Sequence, residues 1–156
     1  MNTHEQISRW QSLIAELIKL PQETEWAEFK HNNADPVMIG ENISALSNVS
    51  ALLGKKQAYM VWGVDDKTHE VLGASFLPSQ TKHKQQELES WLLQKLSPKI
   101  NFSFYEFEYK EKAVVILEIQ PATNSRVIKQ ATEAGVIKAY DPNAGTTAMR
   151  YIPFWA

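Results

Sequence analysis

The stretch ETEWAEFKHNNADP, residues 23–36, contains two changes of local pattern. From residue 25 to 30 the chain alternates, with Glu25, Ala27 and Phe29 on one side and Trp26, Glu28 and Lys30 on the other, the period of a short strand. Asp35-Pro36 then supplies a helix N-cap followed by proline at the first helical position. A strand that hands over directly to a helix is the unit from which the rest of the fold is read.

Downstream, Ile39, Ile43, Leu46, Val49 and Leu53 form a helical stripe that ends at Gly54, a natural C-terminal stop. AYMVWGV, residues 58–64, is too apolar to alternate and reads as a central strand buried on both faces. Asp65 to Thr68 make a turn, and Glu70 to Gly73 read as a return strand. Upstream, Ile7, Trp10, Leu13, Ile14, Leu17 and Ile18 recur at helical spacing between Thr3 and Leu20, with a Thr3/Gln6 capping box and Pro21 as the stop. Residues 79–97 read as a third helix, carrying Leu88, Trp91, Leu92, Leu93 and Leu96 and closed by Pro98.

The remainder is mostly strand. Ile100, Phe102 and Phe104 alternate with polar residues, residues 110–112 turn the chain, and residues 113–119 return as a hairpin limb. Residues 125–129 and 136–140 read as edge strands, and DPNAGTT, residues 141–147, as a loop. Helix, strand, helix, hairpin, helix and then strands give an α+β class: a mixed, largely antiparallel sheet with about three helices packed on it. No repeat or composition shift divides residues 1–156, so one domain is expected.

Composition narrows the function classes. With 16 basic and 18 acidic residues the formal charge is −2, so there is no chain-wide pull toward phosphates, and a nucleic-acid role requires a local basic patch. The chain has no cysteine, which removes disulfides and thiolate metal sites and fits a reducing compartment. Without a basic-then-apolar N-terminal segment or a run of about 18 apolar residues, the expectation is a cytoplasmic protein with no membrane partner.

Neither GxGxxG nor GxxxxGK[ST] occurs, the four histidines have no metal-ligand spacing, and no serine lies in GxSxG. Enzymatic activity is therefore not the leading expectation. Two groups of charged residues remain. Glu23, Glu25, Glu28, Asp65 and Asp66 flank two strands that neighbour each other if the first pairs with the WGV strand, and converging carboxylates hold Mg²⁺ or Mn²⁺. Equally, Asp-Asp is ordinary turn chemistry and Glu-x-Lys an ordinary solvated strand face. Lys30 and His31 follow the first strand, Lys55 and Lys56 follow the second helix, Lys82, His83 and Lys84 open the third, and Arg126, Lys129 and Lys138 lie near the C-terminus. Such residues grip a phosphate backbone if they converge and are solvated surface if they do not.

WAEFK (26–30), ENISALSNVSALLG (41–54), MVWGVDD (60–66) and EVLGASF (70–76), in that order, resemble the Schlafen AlbA-type domain family. The resemblance implies an α+β nucleic-acid-binding domain of a transcription-regulator-like protein, placed N-terminal to further sequence. By the same resemblance, the carboxylates that carry metal-dependent RNA cleavage in the animal members fall on Glu23, Glu28 and Asp66. The chain departs from the family pattern where Asn48 is followed by VSALLGKK instead of a double-glycine loop, and in lacking the late Tyr-x-Arg-x-Gly-Ser motif. The expected function is nucleic-acid binding, DNA or RNA, through Lys30, His31, Lys55, Lys56 and Arg126. Its alternatives are a metal-dependent endoribonuclease acting on structured RNA such as tRNA and using Glu23, Glu28 and Asp66, and a protein-interaction or homo-oligomerisation module.

Overall fold

The computed structural model describes residues 3–21, 24–122, 137–139 and 151–153. In chain order these form α1 (Thr3–Leu17), β1 (Ala27–Lys30), α2 (Pro36–Leu52), β2 (Ala58–Trp62), a 3-10 turn (Pro78–Gln80), β3 (Lys82–His83) and β4 (Gln86–Glu87). They continue with α3 (Leu88–Lys95), β5 (Phe102–Tyr109), β6 (Lys112–Ile119), β7 (Ile137–Ala139) and β8 (Tyr151–Pro153). The main sheet has four strands in the order β1-β2-β6-β5. β1 runs parallel to β2, with Glu28 level with Met60 and Lys30 with Trp62. β6 is antiparallel to both β2 and β5, which makes the sheet mixed and largely antiparallel, as expected.

Strand alternation divides the core into two layers. Ala58, Met60 and Trp62 of β2, with Val115, Leu117 and Ile119 of β6, face α2 and α3, where Ile39, Ile43, Leu88 and Leu92 are fully buried. Tyr59, Val61, Val114 and Ile116 face the other way, onto Trp10, Ile14 and Leu17 of α1. Every residue of β2 is buried, because the strand has a partner at both edges and helices on both faces. Each fully buried large apolar side chain contributes about 1.5–3 kcal/mol relative to leaving it in water.

α2 begins as the sequence indicates. Asp35 caps it, its carboxylate accepting the Met38 N–H at 2.9 Å, and Pro36 occupies the first turn. The preceding loop is pinned to the sheet: Trp62 Nε1 donates to the Asn33 carbonyl at 2.8 Å, and Asn32 Oδ1 accepts from both the N–H and the hydroxyl of Ser75.

Two expectations need correction. The third helix starts at Leu88, because the polar residues before it form the small β3–β4 hairpin, with His83 opposite Gln86 and positive φ at Lys84 and Gln85. Lys82, His83 and Lys84 therefore belong to a hairpin and open no helix. Glu70 to Gly73 make only an isolated bridge, Val64 to Val71, in place of a strand. The expected strand over 125–129 and the loop over 141–147 lie outside the described residues. The strand expected at 136–140 corresponds to β7, which pairs antiparallel with β8.

Gly63 ends β2 and joins several segments. Its N–H donates to the carbonyls of Lys30 (2.9 Å) and His31 (3.0 Å), and its own carbonyl accepts from the N–H groups of Leu72 (2.8 Å) and Gly73 (3.0 Å). Its φ is +93°, and a Cβ there would lie 2.8 Å from the Ala113 carbonyl oxygen and 2.9 Å from the Ala74 nitrogen. Both backbone strain and collision with main-chain atoms therefore oppose any side chain. Gly63→Ala is expected to destabilise the domain by about 2 kcal/mol or more, read as a lower urea midpoint; an unchanged midpoint contradicts this.

Candidate nucleic-acid interface

β1 is an edge strand, and no described strand pairs with its outer side. Ala27 and Phe29 point into the α1 layer, so Glu28 and Lys30 share the α2 side. There Lys30 Nζ lies 2.7 Å from Glu28 Oε1, with both side chains partly exposed. A pair in contact with water contributes about 0–1 kcal/mol, so it does little for the fold. Its effect is local: Lys30 neutralises Glu28 at the middle of the edge.

At the other end of β1 the backbone sets two lysines in place. α2 closes with Leu53 as C-cap and Gly54 at φ +65°, the Gly54 N–H donating to the Ala51 carbonyl and the Lys55 N–H to that of Ser50 (2.8 Å). This left-handed exit turns Lys55 and Lys56 out at the negative end of the helix dipole, where cations are favoured. The Lys55 ammonium lies over the Trp26 ring, 4.7 Å from its centroid, a cation–π contact beside the first residues of β1. Tyr59 meets the same indole edge-on at 6.2 Å, and its hydroxyl donates to Gln57 Oε1. Burial and the Glu118 carboxylate push the Tyr59 phenol above its usual pKa, against a smaller opposing pull from Arg9.

Lys30 and His31 lie at the end of β1 that is level with Trp62, whereas Lys55 and Lys56 lie at the end where Trp26 meets Tyr59. The four basic residues therefore bracket one edge strand, with Trp26 and Glu28 between them. Glu25, exposed just ahead of the strand, adds a negative charge. Arg126, the fifth basic residue, and Glu23 lie outside the described residues. The Trp26–Lys55 contact had no sequence signal, because it joins residues from different elements.

The carboxylates are distributed differently. Glu28 is level with Met60 in the middle of β2, on the α2 side, while Asp66 is exposed in the turn beyond the end of β2. That turn folds toward the α1 layer. His69 is buried there at φ 57°, its ring 4.4 Å from Phe29 and its Nδ1 3.3 Å from the Ile18 carbonyl oxygen. Among the described residues no three His, Cys, Asp or Glu side chains are grouped to hold a metal ion. The neighbour of Asp66 has a structural task. Asp65 Oδ1 accepts the N–H groups of Thr68 (2.7 Å) and Lys67 (2.9 Å) and the Thr68 hydroxyl (3.0 Å). These bonds, the Thr68 N–H foremost, hold its carboxyl below the usual aspartate pKa.

The chain is thus an α+β domain whose mixed sheet carries a basic, tryptophan-bearing edge. Residues 23–147 match the family described as Schlafen, AlbA_2, which is most of the chain, and the chain belongs to that family. It is similar in part to the crystal structure of the DIP2311 protein from Corynebacterium diphtheriae, with 14% identity and a TM-score of 0.39. That similarity covers 75% of this chain and 23% of the other, so the chain spans under a quarter of that protein's length. No curated protein matches. Among the described residues no helix is long and apolar enough to cross a membrane.

The Asp65 bonds define a pH dependence. A depressed folded-state pKa means that the stabilisation is present above the ordinary aspartate pKa and is lost as pH falls through the lowered folded value. Asp65→Ala is expected to remove that part of the acid dependence of the urea midpoint. An acid dependence identical to that of the unsubstituted protein contradicts it.

Proposed function

We propose that the domain binds nucleic acid along the β1 edge, as a module of a larger transcription-regulator-like protein. The observation that carries this reading is the pair of exposed lysines after α2, with Lys55 held over Trp26 and Lys30 at the opposite end of the same strand. Membership of the Schlafen AlbA_2 family supports it. Lysines at the two ends of a strand contact phosphates at separate points along a backbone, and a partly exposed indole between them offers a face on which a base stacks. Lys30 contributes by cancelling Glu28, which otherwise repels a phosphate. With a formal charge of −2 on the whole chain, affinity relies on a local patch such as this one and is steeply salt-dependent.

Binding of labelled single- and double-stranded DNA and RNA, followed by anisotropy from about 50 to about 200 mM salt, tests the reading. The expected result is affinity that falls with salt, with a log–log slope reduced by roughly 1 for each phosphate-contacting lysine removed in Lys55→Ala and Lys56→Ala. Trp26→Phe is expected to weaken single-strand binding more than duplex binding. Slopes unchanged by both lysine substitutions remove the interface. RNA cleavage with Mg²⁺ or Mn²⁺ that disappears in Glu28→Ala assigns the nuclease role through Glu23, Glu28 and Asp66 instead.

A further inference from the structure

Trp26 and Lys55 touch each other but are held in different ways. The Trp26 carbonyl accepts the Tyr59 N–H at 3.0 Å, which ties the residue to the start of the β1–β2 pairing, and its partly buried ring packs against residues of both core layers. Tyr59, which meets that ring edge-on, is itself buried. The indole is therefore a fixed platform. Lys55 is fixed only at its backbone, by the N–H that donates to the Ser50 carbonyl. Its exposed side chain is a flexible four-carbon stem, and its ammonium pairs with no carboxylate among the described residues. What orients that ammonium is the indole face, 4.7 Å from the ring centroid. A base arriving on the same face meets the ammonium first.

Magnitudes decide which of the two keeps the face. A cation–π contact of an exposed lysine is worth about two- to fivefold in an equilibrium. A base stacked on an aromatic side chain is worth about fivefold to more than a hundredfold. The base therefore displaces the ammonium, and the strand that carries the base also carries phosphates, which accept charge-assisted hydrogen bonds from the group it has displaced. Bases inside a duplex do not make this exchange, because leaving the stack costs unstacking and unpairing.

We infer that the β1 edge selects single-stranded nucleic acid by an exchange at Trp26: an unpaired base takes the indole face from Lys55, and the released ammonium moves to a phosphate of the same strand. This rests on the β1 edge being the nucleic-acid interface. Lys55 covers the stacking platform in the free protein and couples stacking to phosphate contact in the complex. Lys56, which has no ring contact among the described residues, serves paired and unpaired strands alike.

The test follows the Lys55 ε-methylene protons of the full chain by NMR, with fold checked by circular dichroism. Held over the indole, they are expected upfield of an ordinary lysine, a shift that Trp26→Leu removes. Oligothymidylate and oligouridylate are expected to abolish the shift at saturation, whereas an abasic strand with the same number of phosphates leaves it in place; the tighter of the two pyrimidine strands assigns the sugar. In parallel, Lys55→Ala uncovers the face. Its affinity for oligothymidylate, extrapolated to about 1 M salt where phosphate contacts are screened, is expected to rise about two- to fivefold, with the abasic strand unaffected. An ordinary Lys55 shift in the free protein, a shift that persists at saturation with both pyrimidine strands, the same response to the abasic strand, or an unaltered high-salt affinity in Lys55→Ala overturns the exchange and leaves phosphate binding along the edge standing. Absence of binding by every strand at low salt overturns both.

Discussion

The fold depends on the main-chain bonds of Gly63. Its N–H holds the end of β1 through the Lys30 and His31 carbonyls, its carbonyl receives the returning chain at Leu72 and Gly73, and its missing Cβ lets Ala113 and Ala74 close over it. The parallel β1–β2 pairing, the Asp65 turn and the approach of β6 all converge there. Through the carbonyls of Lys30 and His31 the same point fixes one end of the basic edge. Stability and the geometry of the candidate interface are therefore set by the same few atoms.

The two sides of the sheet differ in electrostatic character. β1 is bracketed by Lys30, His31, Lys55 and Lys56, with its one central carboxylate ion-paired. β5, the outer strand on the other side, carries exposed Glu106 and Glu108. Glu106 is partly engaged, accepting from the N–H and hydroxyl of Ser79. A formal charge near zero thus conceals an uneven distribution of charge over the two sides of the sheet.

Much of this fold was legible because its signals are local. Asp35-Pro36 and Gly54 delimit α2 through capping chemistry, and the apolar run from Ala58 marks a strand covered on all sides. The β5–β6 hairpin followed from alternation and a polar turn, even though Lys110 and Glu111 take positive φ without glycine. The same tolerance hid the β3–β4 hairpin, where Lys84 and Gln85 turn the chain with residues that favour helix. The site was less legible. Lys30 and Glu28 are two apart on a strand and their contact follows from period two, but Lys55 meeting Trp26 depends on how α2 lies across the sheet. Glu118 had a signal: a lone carboxylate inside the apolar run Val114 to Ile119 is an exception that calls for a partner.

The strand order also bears on how the chain reaches this state. β2 lies between β1 and β6, yet β6 is synthesised only after α3 and β5, so a fully apolar strand emerges with one edge lacking its mate. The β5–β6 pairing joins neighbours in sequence, whereas β2 meets β6 only across the intervening α3 and β5. The sheet is thereby completed by a pairing distant in sequence, the kind that slows folding and lengthens exposure of apolar segments.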